Sequence, residues 1–141
     1  MGTYVITGGA SGIGKAIAEQ LQSEGHSTLS VDIQEADIVA DLASAAGRES
    51  AAQAIREATM DGMQGLVTSA GLGSHVPNNT LITNVNYFGT VELIERLRDH
   101  LAANNASVLL VSSNSAPMET NPDFVASLLK DDAQQACNLA E

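Results

Sequence analysis

The sequence predicts an α/β protein, a doubly wound parallel sheet of about five strands in the order 3-2-1-4-5. Two patterns predict it. Short apolar runs rich in branched residues recur along the chain, as in parallel strands covered on both faces, and stretches with helical spacing lie between them. Because parallel crossovers are almost always right-handed, such an alternation places helices on both faces of one open, twisted sheet.

The strand-like runs are residues 4–7, 28–31, 65–68 and 107–112, each read as buried, and Ile38-Val39 adds a short strand ending at Asp41. Ile13, Ile17 and Leu21 recur every fourth residue, with Gly25 placed as a left-handed helix stop. Residues 44–59 carry Ala51, Ala54, Ile55 and Ala58 on one side, and residues 79–103 carry Val91, Ile94, Leu97 and Leu101 at helical spacing. Beyond Ser115 the character changes. Asn121-Pro122-Asp123 reads as a helix start, with Asn at the cap and Pro in the first turn, from which Phe124, Leu128 and Leu129 would dock. Residues 130–141 suit either a helix or a frayed tail. The expected organisation is a single domain over 1–141, with the alternating core at 1–115 and a segment of different character at 116–141.

Composition narrows the function. Six Lys and Arg against seventeen Asp and Glu among 141 residues give a net charge of −11, which argues against nucleic acid and anionic membrane as partners. No apolar run approaches the ~20 residues of a membrane span, and the N-terminus lacks the cationic start of a signal peptide, so a soluble cytoplasmic protein is expected. Cys137 is alone, and His26, His75 and His100 lack ligand-like spacing, so no metal is expected. Glu92 and Arg96 form an i, i+4 pair that reads as a solvated helix face.

The most specific signal is Thr7-Gly8-Gly9-Ala10-Ser11-Gly12-Ile13-Gly14, directly after the first strand and opening the first helix. Glycines there let the main chain turn tightly and approach a pyrophosphate, whose charge meets the free N–H groups of the helix start. A P-loop is excluded because Lys15 is followed by Ala16 rather than Ser or Thr. Gly8, Ser11, Gly12, Ile13 and Gly14 are therefore the expected pyrophosphate cradle. Asp32 ends the second strand, where a carboxylate accepts hydrogen bonds from the adenosine ribose hydroxyls. With no Arg or Lys at positions 31–34, a 2′-phosphate would meet only that charge, so NAD(H) is expected over NADP(H).

The spacing Thr7-Gly8-x-x-x-Gly12-x-Gly14 resembles that of the short-chain dehydrogenase/reductase family, a Rossmann-like fold, and other motifs extend the likeness. Asp41-Leu42 is similar to the family's contact to the adenine ring, and Ser69-Ala70-Gly71 to its Asn-Ala-Gly turn, which implies that Ala70 and Gly71 line the adjoining nucleotide. Asn86 matches the helix Asn that holds a water in the family's proton relay, and Ser113 the catalytic Ser that orients the substrate carbonyl. Segments such as Ala40-Asp41-Leu42, Gly65-Leu66-Val67, Ala70-Gly71-Leu72-Gly73 and Val85-Asn86-Tyr87-Phe88-Gly89 resemble the family's bacterial hydroxysteroid dehydrogenase/carbonyl reductase branch over about residues 3–115.

The resemblance implies reversible hydride transfer between nicotinamide and a secondary alcohol or ketone, with a 3α-hydroxysteroid as one candidate. Two departures stand out. Ser69 replaces the usual Asn, which removes that residue's bracing of the turn, and the family's Tyr-x-x-x-Lys acid/base pair is missing: Tyr4 and Tyr87 have Gly8 and Val91 at the +4 position. The closing segment from Cys137 resembles the lead-in to that Tyr, so a truncated, catalytically incomplete chain is expected, with an exposed fifth strand that favours homo-oligomers or poor solubility. A noncatalytic dinucleotide sensor or interaction module is the alternative, and a remnant that binds nothing is a third reading.

Overall fold

The computed structural model describes residues Met1–Glu141. Five parallel strands, β1 (Thr3–Thr7), β2 (Ser27–Asp32), β3 (Ile38–Val39), β4 (Gly65–Thr68) and β5 (Ser107–Leu110), form one sheet in the order β3-β2-β1-β4-β5. The helices are α1 (Gly12–Ser23), α2 (Ala45–Ala58), α3 (Asn79–Thr83), α4 (Gly89–Ala103), α5 (Pro122–Leu129) and α6 (Ala133–Ala140). A π-helical turn, Asn84–Phe88, joins α3 to α4. The sequence pattern predicts one helix over 79–103 and gives no sign of the extra residue per turn; such turns mark functional sites often enough to note its place.

Register explains the two cores. Val5 pairs with Leu29 and Leu66, and the two-residue alternation sends Val5, Val31 and Leu66 toward α2 and α4, where Ile55, Leu93, Leu97 and Leu101 complete an aliphatic layer. Ile6 and Val67 point the other way and pack with Ala18, Ile17 and Leu21 of α1. The small residues Ala51 and Ala52 are wholly buried and let α2 approach the sheet closely.

Two packing expectations are corrected. The fifth strand is not buried as its apolar run predicts but is the exposed edge expected beside the missing acid/base pair: Val108, Leu109 and Leu110 are 43%, 55% and 58% exposed, because α5 and α6 pack on each other and α6 on α3 and the π turn, leaving β5 joined chiefly to β4. The strand also ends at Leu110, although Val111 N–H still donates to Thr68 O at 3.1 Å. In α5, Asn121 Oδ1 caps the helix by accepting from Asp123 N at 2.9 Å and Phe124 N at 3.3 Å, as expected, but Leu129 stays 77% exposed. Phe124 and Leu128 are half-buried as expected, and Ser127 is buried on the same face. The closing residues are helical, with Asp132 Oδ1 accepting from Gln135 N at 3.0 Å.

No helix is long and apolar enough to cross a membrane.

Ser107 and Val111 donate inward to Gln64 and Thr68, so alternation turns the N–H groups of Val108 and Leu110 to the open edge. In hydrogen exchange, Val108 and Leu110 are expected to exchange almost as fast as free chain, while Val5, Ile6, Leu66 and Val67 open only with global unfolding. Equal protection at Val108 and Leu110 would show that something covers that edge.

Candidate functional site

A cavity of about 480 Å³ opens at the carboxyl ends of β1, β2 and β4, where the strand order reverses between β1 and β4. Such a switch point is where open α/β sheets take ligands, because the loops diverge there. Of the residues singled out for cofactor binding, Gly8, Ser11, Gly12, Ile13, Asp32, Asp41, Leu42, Ala70 and Gly71 all line it.

Gly14 lies behind this wall. A Cβ there would overlap the Gly8 carbonyl oxygen, so the close approach of α1 to the turn requires glycine. Gly12 serves differently. Its φ is +53°, which L side chains rarely adopt, and a Cβ would point into open space, leaving the main chain bare toward the cavity. Ile13 is 62% exposed and lines the cavity, so it leaves the apolar stripe to which its spacing assigns it.

The start of α1 is electrostatically incomplete. Ser11 makes no side-chain cap and the first turn holds no acidic residue, whereas Ser44, Asn121 and Asp132 cap α2, α5 and α6 with side-chain oxygens. Uncapped amides at the positive end of a helix, facing a cavity, suit an anion.

Asp32 sits across from this turn. Its Oδ2 accepts from Ala10 N at 3.1 Å and its Oδ1 from Ile33 N at 2.8 Å. The carboxylate thus braces the glycine turn, and each oxygen keeps acceptor capacity for a further donor. Asp41 Oδ1 accepts from Ala43 N at 3.0 Å on the far wall. The cavity lining contains two carboxylates and no Lys, Arg, His or Tyr.

The turn after β4 is braced without the usual Asn. The buried Thr7 Oγ1 accepts from Ser69 N and Ala70 N, both at 3.1 Å, and so ties this turn to β1 in place of a side chain at position 69. Asn86, in the π turn, spends both ends on Leu72: its Oδ1 accepts from Leu72 N at 2.7 Å and its Nδ2 donates to Leu72 O at 2.9 Å. Ser113 lies beyond β5, exposed, with its Oγ accepting from Ser115 N at 3.1 Å, and it is not among the lining residues. The structure therefore gathers the cofactor set and leaves Ser113 and Asn86 outside the cavity wall.

Sequence reasoning missed Ile33, Leu72, Leu81 and Val85, which give the cavity much of its apolar surface. Ile33 carried a signal: a large apolar residue following the strand-ending Asp, 65% exposed in the structure. It also misread Glu92. Rather than a solvated face, Glu92 receives the buried Arg48 guanidinium in two bonds, Nε–Oε2 at 2.9 Å and Nη2–Oε1 at 3.1 Å, with Arg96 Nη2 3.5 Å away. A charge pair between helices is invisible to i, i+4 counting.

The loop between β2 and β3, on the rim, is closed by a clasp. Asp37 Oδ2 accepts from Ser30 N at 2.8 Å and from Ser30 Oγ at 2.7 Å, while Ser30 Oγ accepts from Asp37 N at 3.0 Å. The hydrogen bond from the Ser30 amide, then that from its hydroxyl, hold the Asp37 carboxyl below the ordinary carboxylate range against a small opposing effect of burial.

Comparison with known proteins agrees with this geometry. The family model for short chain dehydrogenase matches residues 3–127. The chain is 36% identical over 116 residues to a 3-alpha-hydroxysteroid dehydrogenase/carbonyl reductase from Comamonas testosteroni, a match covering 82% of this chain and 45% of that protein. Among solved structures, the 3-alpha-hydroxysteroid dehydrogenase of Pseudomonas sp. B-0831, complexed with NADH, superposes with a TM-score of 0.88 at 35% identity, covering 99% of this chain and 61% of that one. An aldohexose dehydrogenase from Thermoplasma acidophilum shares the fold at a TM-score of 0.71 and 20% identity, covering 97% of this chain and 55% of that one. The chain thus spans about half the length of the curated relative it matches.

Two measurements check the site. Gly12→Ala is expected to fold at a cost of about 1–2 kcal/mol from its left-handed backbone, and Gly14→Ala to cost more, since the turn itself must move; thermal unfolding that ranks them the other way contradicts the geometry. Asp37→Asn is expected to lower the thermal midpoint by a few degrees at pH 7. Because the folded carboxyl titrates below its unfolded value, the clasp is fully present above ~4 and is lost as pH falls through the folded value, so the gap between variant and parent closes in acid. A gap that persists at the lowest pH at which both fold would refute the clasp.

Proposed function

The chain belongs to the short chain dehydrogenase family, one of oxidoreductases, and on that premise we propose that it binds NAD(H) in preference to NADP(H) as the cofactor half of an alcohol/ketone dehydrogenase. The observation that carries this reading is the pairing of the uncapped α1 start with the Asp32 carboxylate one strand away. The glycine turn is open where a pyrophosphate would lie, the first-turn amides are free to hold it, and Asp32 retains acceptor capacity for the ribose hydroxyls. A 2′-phosphate would be placed beside a carboxylate in a lining without a cation. Asp41 and Leu42 would bound the adenine, and Ala70 and Gly71 the adjoining nucleotide.

When bound, the nicotinamide ring supplies the hydride acceptor or donor for a secondary alcohol or ketone. The substrate class we infer is a 3α-hydroxysteroid or related ketone, supported by the likeness to relatives of that name. Ser113 would orient the substrate oxygen. Asn86 would act through Leu72, holding the turn that faces the nucleotide.

Proton transfer is the step these 141 residues do not equip. A positioned general base is worth typically ~10²–10⁴-fold in rate. Tyr87 donates its hydroxyl to Leu128 O at 3.0 Å, and Tyr4 stacks edge-on against His26 with ring centres 5.0 Å apart, so neither phenol serves the cavity. The proposal is therefore binding by these 141 residues with turnover far below that of a family member that carries the Tyr-x-x-x-Lys pair.

Calorimetric titration tests it. NADH is expected to bind at least about tenfold more tightly than NADPH, a difference that one unfavourable charge contact readily produces. Asp32→Ser combined with Ile33→Arg is expected to reverse the order. Absence of heat with both cofactors, or tighter binding of NADPH to the parent chain, would overturn the reading.

A further inference from the structure

We infer that Arg48 is a positioning residue for the adenine side of the cavity, setting the Asp41–Leu42 main chain and through it the selectivity for the base. The inference rests on the dinucleotide reading above. Arg48 is 5% exposed and does not itself line the cavity. Its Nη1 donates to the Leu42 carbonyl oxygen at 2.9 Å, while its other two nitrogens, Nε and Nη2, donate to Glu92 at 2.9 and 3.1 Å. Glu92 stands early in α4, directly after the π turn, on the continuous helix that faces α2. The guanidinium is thus aimed by a fixed partner rather than free to rotate, and a planar fork held on one side delivers a directed donor on the other.

The peptide it holds is confined from two further directions. A Cβ on Gly47 would overlap the Asp41 carbonyl oxygen, and a Cβ on Gly89 would lie 3.3 Å from both the Cβ and the carbonyl oxygen of Leu42. Two helices therefore abut this peptide through glycines, and Arg48 bonds it at the point between them. The loop that presents Asp41 to the cavity is placed by α2 and α4 in addition to its own hydrogen bonds, Ala43 N to Asp41 Oδ1 and Ser44 N to Asp41 O. An Asp41 held this way can tell an exocyclic amino group, which donates, from a carbonyl oxygen, which does not. Adenine carries the first at its six-position and hypoxanthine the second, and loss of the donor leaves the carboxylate facing an acceptor.

Titration of the full chain with NADH and with reduced nicotinamide hypoxanthine dinucleotide tests the inference. The parent is expected to favour NADH by about tenfold, as befits one hydrogen bond to a charged acceptor. Arg48→Met combined with Glu92→Gln removes both charges together, so no unpaired ion is left buried, and is expected to bring the preference to near unity with NADH affinity falling about tenfold. Arg48→Lys keeps a cation beside Glu92 but lacks the fork needed to bond Leu42 as well. It is expected to lose most of the preference too, and it carries the test alone if the double variant does not fold. A variant whose unliganded thermal midpoint drops while its NADH preference stays at the parental value overturns the inference, since that is what a merely structural Arg48 would do. A parent that binds NADH without preferring it overturns the inference and leaves the cofactor reading standing. A parent that binds neither dinucleotide overturns both.

Discussion

The structure depends on the junction of β1 with α1, where a strand must turn straight into a helix and still leave the helix's first amides bare. Gly14 permits the approach, because any side chain there would strike the Gly8 carbonyl. Asp32 steadies the turn from the next strand through Ala10 N, and Thr7, at the end of β1, fixes the turn after β4 through Ser69 N and Ala70 N. These contacts converge on a place where helix ends elsewhere in the molecule are closed by their own side chains. Uncapped amides beside a cavity sacrifice local stability, of order 1 kcal/mol for a cap, and a bound anion restores it.

The two walls of the cavity are governed by one continuous helical segment. In its π turn, Asn86 holds the Leu72 main chain; one and a half turns later Glu92, through Arg48, holds Leu42 O. The wider turn at Asn84–Phe88 sets the phase between these positions, so that a single rigid element addresses loops from two different strands. This arrangement assigns a role to a buried charge pair that contributes little through Coulomb attraction alone, given the cost of desolvating both ions.

The sequence reveals much of this arrangement, and the limits have physical reasons. The glycine turn, the strand-ending Asp32 and the Asn121 cap follow from local rules, each concerning residues close in the chain, and the sheet order follows from the handedness of parallel crossovers once strands and helices alternate. What it does not reveal depends on residues far apart. Glu92 looks solvated until α2 brings Arg48 to it, and the apolar run of β5 taken alone looks buried, its exposed edge being legible only through the family likeness. Ile13 fits an inward stripe by its spacing, yet the start of α1 faces the cavity, and there an exposed isoleucine forms part of a wall. Ser113 and Asn86 were legible only by family likeness; Asn86 stands directly behind the lining residue Leu72, whereas Ser113 lies in the exposed segment after β5, whose conformation no motif encodes.

The central claim concerns free amides at the start of α1, and amide-resolved nuclear magnetic resonance observes them directly. Titrating the ¹⁵N-labelled chain with NAD⁺ should shift Gly12, Ile13 and Gly14 most, with Ala10 and Ile33 following through Asp32, while β5 and α6 stay still. Saturable shifts confined to other surfaces, with those three amides unmoved, would contradict the account.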